Sequence, residues 1–285
     1  MTRTIVITGT ATGIGKLSVE RFSAEGWNVL ATVRKESDLA VHAGLPNVRT
    51  VLLNVDNEQA DLALADLAVQ QFGRVDALVN NAGYYQAGPL EGSTMDQIHR
   101  QFQTNVFGLI ALNKAFIPHF RKQGSGAIVN IGSISADQGY PYTSVYEASK
   151  AAVVSLSEGL NAELAEFGVA VKAVLPGGMD TRIFSKIDMA EDVPEAYDAS
   201  VKAFYSFDLF STRSHPRLTV DVIYEAVTDN KLDKVRYYSG PDGTAIPRMK
   251  QLLGQDWYWQ EFRALVSGNP SPLWQALVPA PVANK

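Results

Sequence analysis

Tyr146, Glu147, Ala148, Ser149 and Lys150 run consecutively, and a serine, Ser133, lies a short way upstream. A Tyr and a Lys four apart come one turn apart on the same helix face, which lets the ammonium sit beside the phenol. An unperturbed tyrosine titrates near pH 10, so work as a proton donor or acceptor near neutrality calls for a depression of roughly 3 pKa units, worth about 4 kcal/mol. An adjacent cation supplies much of that. In a chain with 11 Tyr the same spacing could also be a plain helix with a surface Lys. A second cluster gives it chemical meaning: Thr8-Gly9-Thr10-Ala11-Thr12-Gly13-Ile14-Gly15 follows a short apolar run and opens a helical pattern. Glycines in that place let backbone N–H groups approach a pyrophosphate at a helix N-terminus. The spacing Gly-x-x-x-Gly-x-Gly differs from the commonest dinucleotide fingerprint, Gly-x-Gly-x-x-Gly. Gly9, Thr12, Gly13, Ile14 and Gly15 are therefore the candidate phosphate-binding residues, although an ordinary βα turn could use the same glycines.

The elements that must position these groups read as alternating strands and helices. β-rich runs are expected at residues 4–8, 28–32, 48–55, 77–80, 127–131, 169–175 and 235–238. Helical periodicity covers 14–25, 58–72, 94–115 and 220–229. Strands apolar on both faces and separated by helices predict a parallel sheet covered on each side, an α/β doubly wound, Rossmann-like fold. In the long helix expected from Thr94, a stripe of Met95, Ile98, Phe102, Val106, Leu109 and Phe116 reads as core. One domain is expected over residues 1–285, with a helical substrate lid at about 181–219 and a C-terminal extension at about 244–285. The lid carries Phe184, Met189, Tyr197, Phe204, Tyr205, Phe207 and Phe210, and the extension Trp257, Trp259 and Trp274. That tail could close a pocket or pack on another subunit.

Composition narrows the partners. With 46% hydrophobic residues in 285 the chain can bury a large core. A net charge of -5 with scattered Lys and Arg offers no field for a nucleic acid backbone. The absence of cysteine removes disulfides, thiolate catalysis and Cys-ligated metal. His42, His99, His119 and His215 show no ligand-like spacing, so no metal site is expected. No apolar run is long enough for a membrane span, and no secretory signal opens the chain, so a cytoplasmic protein is expected. No Gly-x-Ser-x-Gly elbow suggests a serine hydrolase.

At the end of the second predicted strand, where folds that prefer NAD place an acid for the ribose 2′-hydroxyl, the chain reads Ala31-Thr32-Val33-Arg34-Lys35. A guanidinium there can grip a 2′-phosphate with a planar fork of donors, which points to NADP(H). A solvated strand end would also account for Arg34 and Lys35.

Taken together, these residues resemble the short-chain dehydrogenase/reductase family over roughly residues 3–182, and more loosely to about 243. The likeness adds Asn80-Asn81-Ala82-Gly83, Asn105, and Pro176-Gly177 with Thr181. It implies that Tyr146 passes a proton to or from the substrate oxygen and that Ser133 hydrogen-bonds that oxygen. Lys150 is implied to lower the Tyr146 pKa and to hold the nicotinamide ribose. Asn105 is implied to hold a water on a proton path from Lys150, though an Asn satisfying nearby backbone would fit equally. Asn81, Ala82, Gly83, Asn54 and Val55 are implied to border the adenosine, and Pro176, Gly177 and Thr181 the carboxamide. Asn54 stands where Asp is commoner. The resemblance implies pro-S hydride transfer and a homo-dimer or homo-tetramer; small residues Ala148, Ala151, Ala152 and Ser155 would permit close packing on a partner.

The leading expectation is an NADPH-dependent reductase of a fairly apolar ketone or aldehyde, with Ser135, Tyr140, Tyr84, Phe184 and Tyr205 as substrate contacts. A non-catalytic NADP(H)-binding sensor or scaffold, and a relative that eliminates halide from halohydrins without nicotinamide, are the alternatives. The retained Ser133, Tyr146 and Lys150 weigh against the first. The glycine turn and Lys150 weigh against the second.

Overall fold

A computed structural model of the chain describes residues 2–205, 213–267 and 272. The first half runs β1 (Thr4–Ile7), α1 (Gly13–Ala24), β2 (Asn28–Val33), β3 (Val48–Leu52), α2 (Glu58–Phe72) and β4 (Ala77–Asn80). There follow β5 (Gln86–Ala87), α3 (Met95–Phe102), a π-helical turn (Gln103–Phe107), α4 (Gly108–Gln123), β6 (Gly126–Ile131), α5 (Ser144–Leu164) and β7 (Val169–Pro176). The last part comprises β8 (Asp188–Met189), α6 (Asp198–Tyr205), α7 (Arg217–Thr228), β9 (Arg236–Ser239), α8 (Pro241–Leu253) and α9 (Gln255–Val266).

Among the described residues, seven strands pair in parallel in the order β3-β2-β1-β4-β6-β7-β9. The continuous apolar runs of the central strands follow from burial on both faces. Ile5, Ile7, Val79 and Val129 point to one face, where Phe22 of α1 and Ile223 of α7 cover them. Val6, Leu78, Ile128 and Val171 point to the other, under Leu64 of α2 and Leu112 and Phe116 of α4. Each fully buried side chain of this kind contributes about 1.5–3 kcal/mol, so the two layers fix the sheet. A third cluster packs Ile246, Met249, Tyr258 and Phe262 of α8 and α9 on Ile134 and Leu175. It attaches the C-terminal helices to the loop that leaves β6.

The strand order reverses between β1 and β4, and a crevice opens there beyond the carboxyl ends of the strands. That crevice is where the glycine turn and α5 meet.

Two expectations need correction. The strand expected over 48–55 ends at Leu52. The single helix expected over 94–115 is α3 and α4 joined by the π turn; of its expected apolar stripe Val106, Leu109 and Phe116 are buried and Ile98 and Phe102 half-buried, but a row of amides is buried beside them. Met95 is exposed, while Gln97, Gln101 and Asn105 are buried. These amides have backbone to satisfy: Gln97 Nε2 donates to the Met189 carbonyl at 2.7 Å, and Gln101 Oε1 accepts from Gln86 N–H at 2.8 Å. The floor beneath the expected lid is thus pinned by side-chain amides. Phe207, Phe210 and Trp274 lie outside the described residues, as do the remaining positions of the lid between 206 and 212 and most of the extension beyond 267.

Candidate active site

The carboxyl ends of the central strands open into one cavity of about 1080 Å³. At its base Gly9 and Gly13 take left-handed backbone angles, φ 69° and 58°. A Cβ on Gly15 would lie 2.4 Å from the Gly9 carbonyl oxygen and 2.5 Å from Asn81 Nδ2, so only glycine fits there. Asn81 Nδ2 donates to the Thr8 and Gly9 carbonyls at 2.9 and 3.1 Å. In return Thr8 Oγ1 accepts the Asn81 and Ala82 N–H groups, each at 3.0 Å. The segment after β4 and the glycine turn are therefore one unit.

The first turn of α1 has no acidic residue, and Thr12 makes no side-chain cap to it. Its N–H groups and positive dipole end are left for an anion, and Thr12, Ile14, Ala82 and Gly83 line the same space. Arg34, exposed just past β2, lines the cavity with Asn54 and Val55 beyond β3. These residues fit a dinucleotide: a narrow glycine cradle for phosphates, an open helix N-terminus, and Asn54 and Val55 with Arg34 along the far end of the same cavity.

At the other end stand Ser133, Tyr146 and Lys150. Ser133 follows β6 and caps a short 3₁₀ turn (Ile134–Ala136). Its Oγ accepts from Ser135 N–H at 3.2 Å and from the Ser135 hydroxyl at 2.8 Å, which frees its own proton for donation into the cavity. Ser135, expected to touch substrate, thus also orients Ser133. On α5, Lys150 Nζ donates to the Ile131 carbonyl at 2.8 Å and lies 5.8 Å from the centre of the Tyr146 ring.

Burial dominates the titration of this group. It pushes the Tyr146 phenol up to about 12, with the Ser133 hydroxyl acting downward and the Glu147 charge upward. Burial also lowers the Lys150 ammonium to about 8. The expected depression of the phenol is therefore not produced by the chain's own groups, because desolvation outweighs every attraction within it.

Asn105 does not line the cavity; it sits behind it in the π turn, a distortion frequent at functional sites. Its Oδ1 accepts from Tyr84 N–H at 3.1 Å, and Nδ2 donates to the Tyr84 carbonyl at 3.1 Å and to Ser149 Oγ at 3.2 Å. A Cβ on Gly83 would come 3.0 Å from Asn105 Oδ1 and 3.7 Å from Lys150 Nζ, so that glycine keeps the amide and the ammonium on either side of one small gap.

Of the expected substrate contacts, Ser135, Tyr140, Tyr84 and Phe184 line the cavity. Tyr205 does not; its ring packs edge-on against Phe204, 5.3 Å between centres, and Phe204 packs on Tyr142. Pro176, Gly177 and Thr181 line the wall beside the glycine turn, where a Cβ on Gly13 would sit 3.3 Å from Thr181 Cβ.

Tyr85, which with Tyr84, Tyr140 and Tyr142 flanks the motifs and points to an apolar substrate, lines the cavity, whereas two further lining residues, Glu147 and Asp242, escaped the sequence reading. The Tyr85 ring lies 4.5 Å from that of Tyr146 and 5.7 Å from that of Phe184. Glu147 is buried, its Oε1 accepting from Tyr140 N–H at 2.6 Å and Thr143 Oγ1 at 2.8 Å, and burial pushes it up to about 8. Asp242 Oδ2 accepts from Gly178 N–H at 2.6 Å, holding the turn after Pro176. Only Asp242 had a usable signal, as an acid in the first turn of a helix that opens on Pro241.

Fold and cavity define an α/β enzyme of the dinucleotide-dependent kind. The short chain dehydrogenase family model matches residues 3–192. An uncharacterized oxidoreductase of Schizosaccharomyces pombe is 36% identical over 211 residues, 73% of this chain and 88% of the relative. A short-chain dehydrogenase from Streptomyces avermitilis superposes with a TM-score of 0.80 at 29% identity, covering 92% and 97% of the two chains. ElxO, solved with NADP bound, superposes with a TM-score of 0.71 at 26% identity, covering 83% and 96%. The chain belongs to the short-chain dehydrogenase/reductase family, and is an oxidoreductase of the kind that interconverts CH–OH and C=O.

Among the described residues, no helix is long and apolar enough to cross a membrane.

Proposed function

We propose that this protein is an NADPH-dependent reductase of a fairly apolar ketone or aldehyde, working reversibly. The observation that carries the reading is the convergence of Ser133, Tyr146 and Lys150 with the glycine cradle in one cavity. NADPH rather than NADH is favoured by Arg34 at the end of β2, with no acid at that strand end to repel a 2′-phosphate. ElxO, solved with NADP, offers a parallel.

The bound dinucleotide would supply hydride to the carbonyl carbon. Tyr146 gives its phenolic proton to the carbonyl oxygen, and a phenol held at about 12 is fully protonated and ready for that step at neutral pH. Ser133 donates its free proton to the same oxygen and fixes its position. Lys150, anchored on Ile131, has further N–H donors for ribose hydroxyls and stabilises the phenolate left by proton transfer. Asn105 holds Tyr84 and Ser149, and so supports α5 from behind. A water beside it would return protons toward Lys150. Tyr84, Tyr85, Phe184 and Tyr140 provide the apolar wall for the substrate. The exposed Ala148 and Ser155 on α5 allow a second subunit to pack closely, so a homo-dimer or homo-tetramer accompanies this reading.

The test follows NADPH absorbance over a panel of aryl and alkyl ketones and aldehydes with wild type and Tyr146→Phe. Turnover in wild type, with kcat reduced roughly 10²- to 10⁴-fold in the variant, is expected. Equal turnover in both would remove Tyr146 from the chemistry.

A further inference from the structure

Aromatic rings line the substrate side of the cavity, yet a charge stands at the end of their row. From Tyr146 the rings run to Tyr85 at 4.5 Å and on to Phe184 at 5.7 Å. The Arg213 guanidinium lies over Phe184, 3.8 Å from the ring centre. Arg213 lines the same cavity and is half-buried.

Its place is fixed by the backbone on one side. Ser214 N–H donates to the Gly178 carbonyl and Asp180 N–H to the Ser214 carbonyl, each at 2.9 Å. Met179 and Ser214 form a parallel bridge, and Ser214 is buried. Arg213 is thus carried on a segment paired with the stretch that follows the Pro176–Gly177 turn, beside the site's reacting end.

The carboxylates around the substrate end are already engaged. Asp188 accepts from Gln97 Nε2 at 3.1 Å and from Arg100 at 3.5 Å. Asp242 is held by Gly178 N–H, and Glu147 by Tyr140 N–H and Thr143. Arg213 enters no ion pair among the described residues; Asp180, exposed and outside the lining, acts on it only through space. Burial pulls its guanidinium below the ordinary arginine value, against the weaker opposing pull of Asp180. Arg182 and Lys186, both exposed on the same rim, add to the positive sign.

Resting on the reductase reading above, we infer that the substrate carries a carboxylate at the end remote from its carbonyl, and that Arg213 binds it. The apolar body lies along Tyr85 and Phe184, and the anion meets the planar guanidinium fork, braced by stacking on Phe184. Arg213 is then the specificity-determining residue for oxo acids over neutral ketones.

The experiment compares benzoylpropanoate, benzoylpentanoate and benzoylheptanoate with their methyl esters, using wild type, Arg213→Gln and Arg213→Lys. Wild type should prefer the acid to its ester in kcat/KM by roughly ten- to hundredfold at one chain length, the worth of a charged hydrogen-bonded pair. Arg213→Gln should erase that preference while keeping ester turnover, and Arg213→Lys, with a point charge instead of a fork, should restore part of it. A ratio near one in wild type, or a ratio unchanged by Arg213→Gln, overturns the assignment. So does a variant whose KM rises for NADPH alone, since the guanidinium would then serve a cofactor phosphate. If wild type reduces none of these ketones, calorimetry with benzoylpentanoate separates the two claims. Binding that weakens about tenfold or more in Arg213→Gln keeps the anion site while the reductase reading falls, and no binding by wild type ends both.

Discussion

Glu147 couples the stability of this protein to pH, and Glu147→Gln exposes the coupling. The carboxyl is buried, with 6% of the residue exposed, and both of its hydrogen bonds fall on one oxygen. Burial raises it from 4.5 to about 8, against the opposing pull of the Tyr140 N–H and Thr143 hydroxyl. The folded chain therefore keeps a proton that the unfolded chain releases. Stability from this group is complete below pH 4.5 and is lost progressively as pH rises to about 8. A proton held across that window corresponds to roughly 5 kcal/mol. Glutamine keeps an acceptor for both donors and does not titrate. Urea unfolding at a series of pH values, with ΔG and m fitted at each, should show a variant within about 1 kcal/mol of wild type near pH 4.5 and several kcal/mol more stable near pH 8. The chemistry should follow, because the Glu147 charge raises the Tyr146 phenol. Without it, the rising limb of alcohol oxidation, which needs the phenolate, moves to lower pH. Parallel stability curves for wild type and Glu147→Gln between pH 4.5 and 8 would refute the reasoning, since no buried proton would then be at stake.

Arg34→Asp should reverse the cofactor preference measured by kcat/KM, with NADPH losing roughly hundredfold, as one charged hydrogen-bond partner becomes a repulsive one. Gly15→Ala drives a methyl to within 2.4 Å of the Gly9 carbonyl oxygen; NADPH titration by fluorescence should show binding abolished, and Tm should fall with a loss of about 1–3 kcal/mol. Far from the cavity, Lys172 of β7 is buried against Asp229, which also accepts from Tyr237 Oη at 2.5 Å. Lys172→Met should cost about 3–5 kcal/mol in urea unfolding by stranding the carboxylate, and adding Asp229→Asn should recover part of it.

What could be read from residue order alone divides along one line: contacts close in sequence were visible, contacts far apart were not. Strand and helix over 77–80 and 58–72 emerge at the expected bounds, because apolar runs and helical periodicity are local signals. Tyr146 and Lys150 meet because four residues are one helical turn, and the glycine turn forms because its φ angles are a property of those positions. The buried stripe of Gln97, Gln101 and Asn105 was missed for a different reason. Periodicity assigns amides to solvent, whereas here they serve carbonyls and N–H groups of Tyr84, Gln86 and Met189. Glu147 reads as a surface acid until the loop through Tyr140 folds over it, and Asp242 reaches Gly178 across 64 residues.

The same division separates the reaction from its substrate. Residues that would move the proton lie within one strand end and one helix, whereas the facing wall of the cavity is assembled from Tyr85, Phe184, Arg213 and Asp242, four distant segments. Asp137 shows how firmly that wall is braced. Its side chain accepts from Arg236 and, at 2.7 Å, from Tyr238 Oη, while Lys250 donates to its backbone carbonyl. Next to it, Gln138 Oε1 accepts from Tyr258 Oη at 2.6 Å. The loop that carries Ser133 and Ser135 is thus strapped to β9, α8 and α9. A change in those C-terminal elements therefore shifts the loop that carries Ser133 and Ser135, and with it Tyr140, whose ring packs 5.1 Å from Phe262 of α9, and leaves the Tyr146–Lys150 spacing, fixed inside α5, untouched.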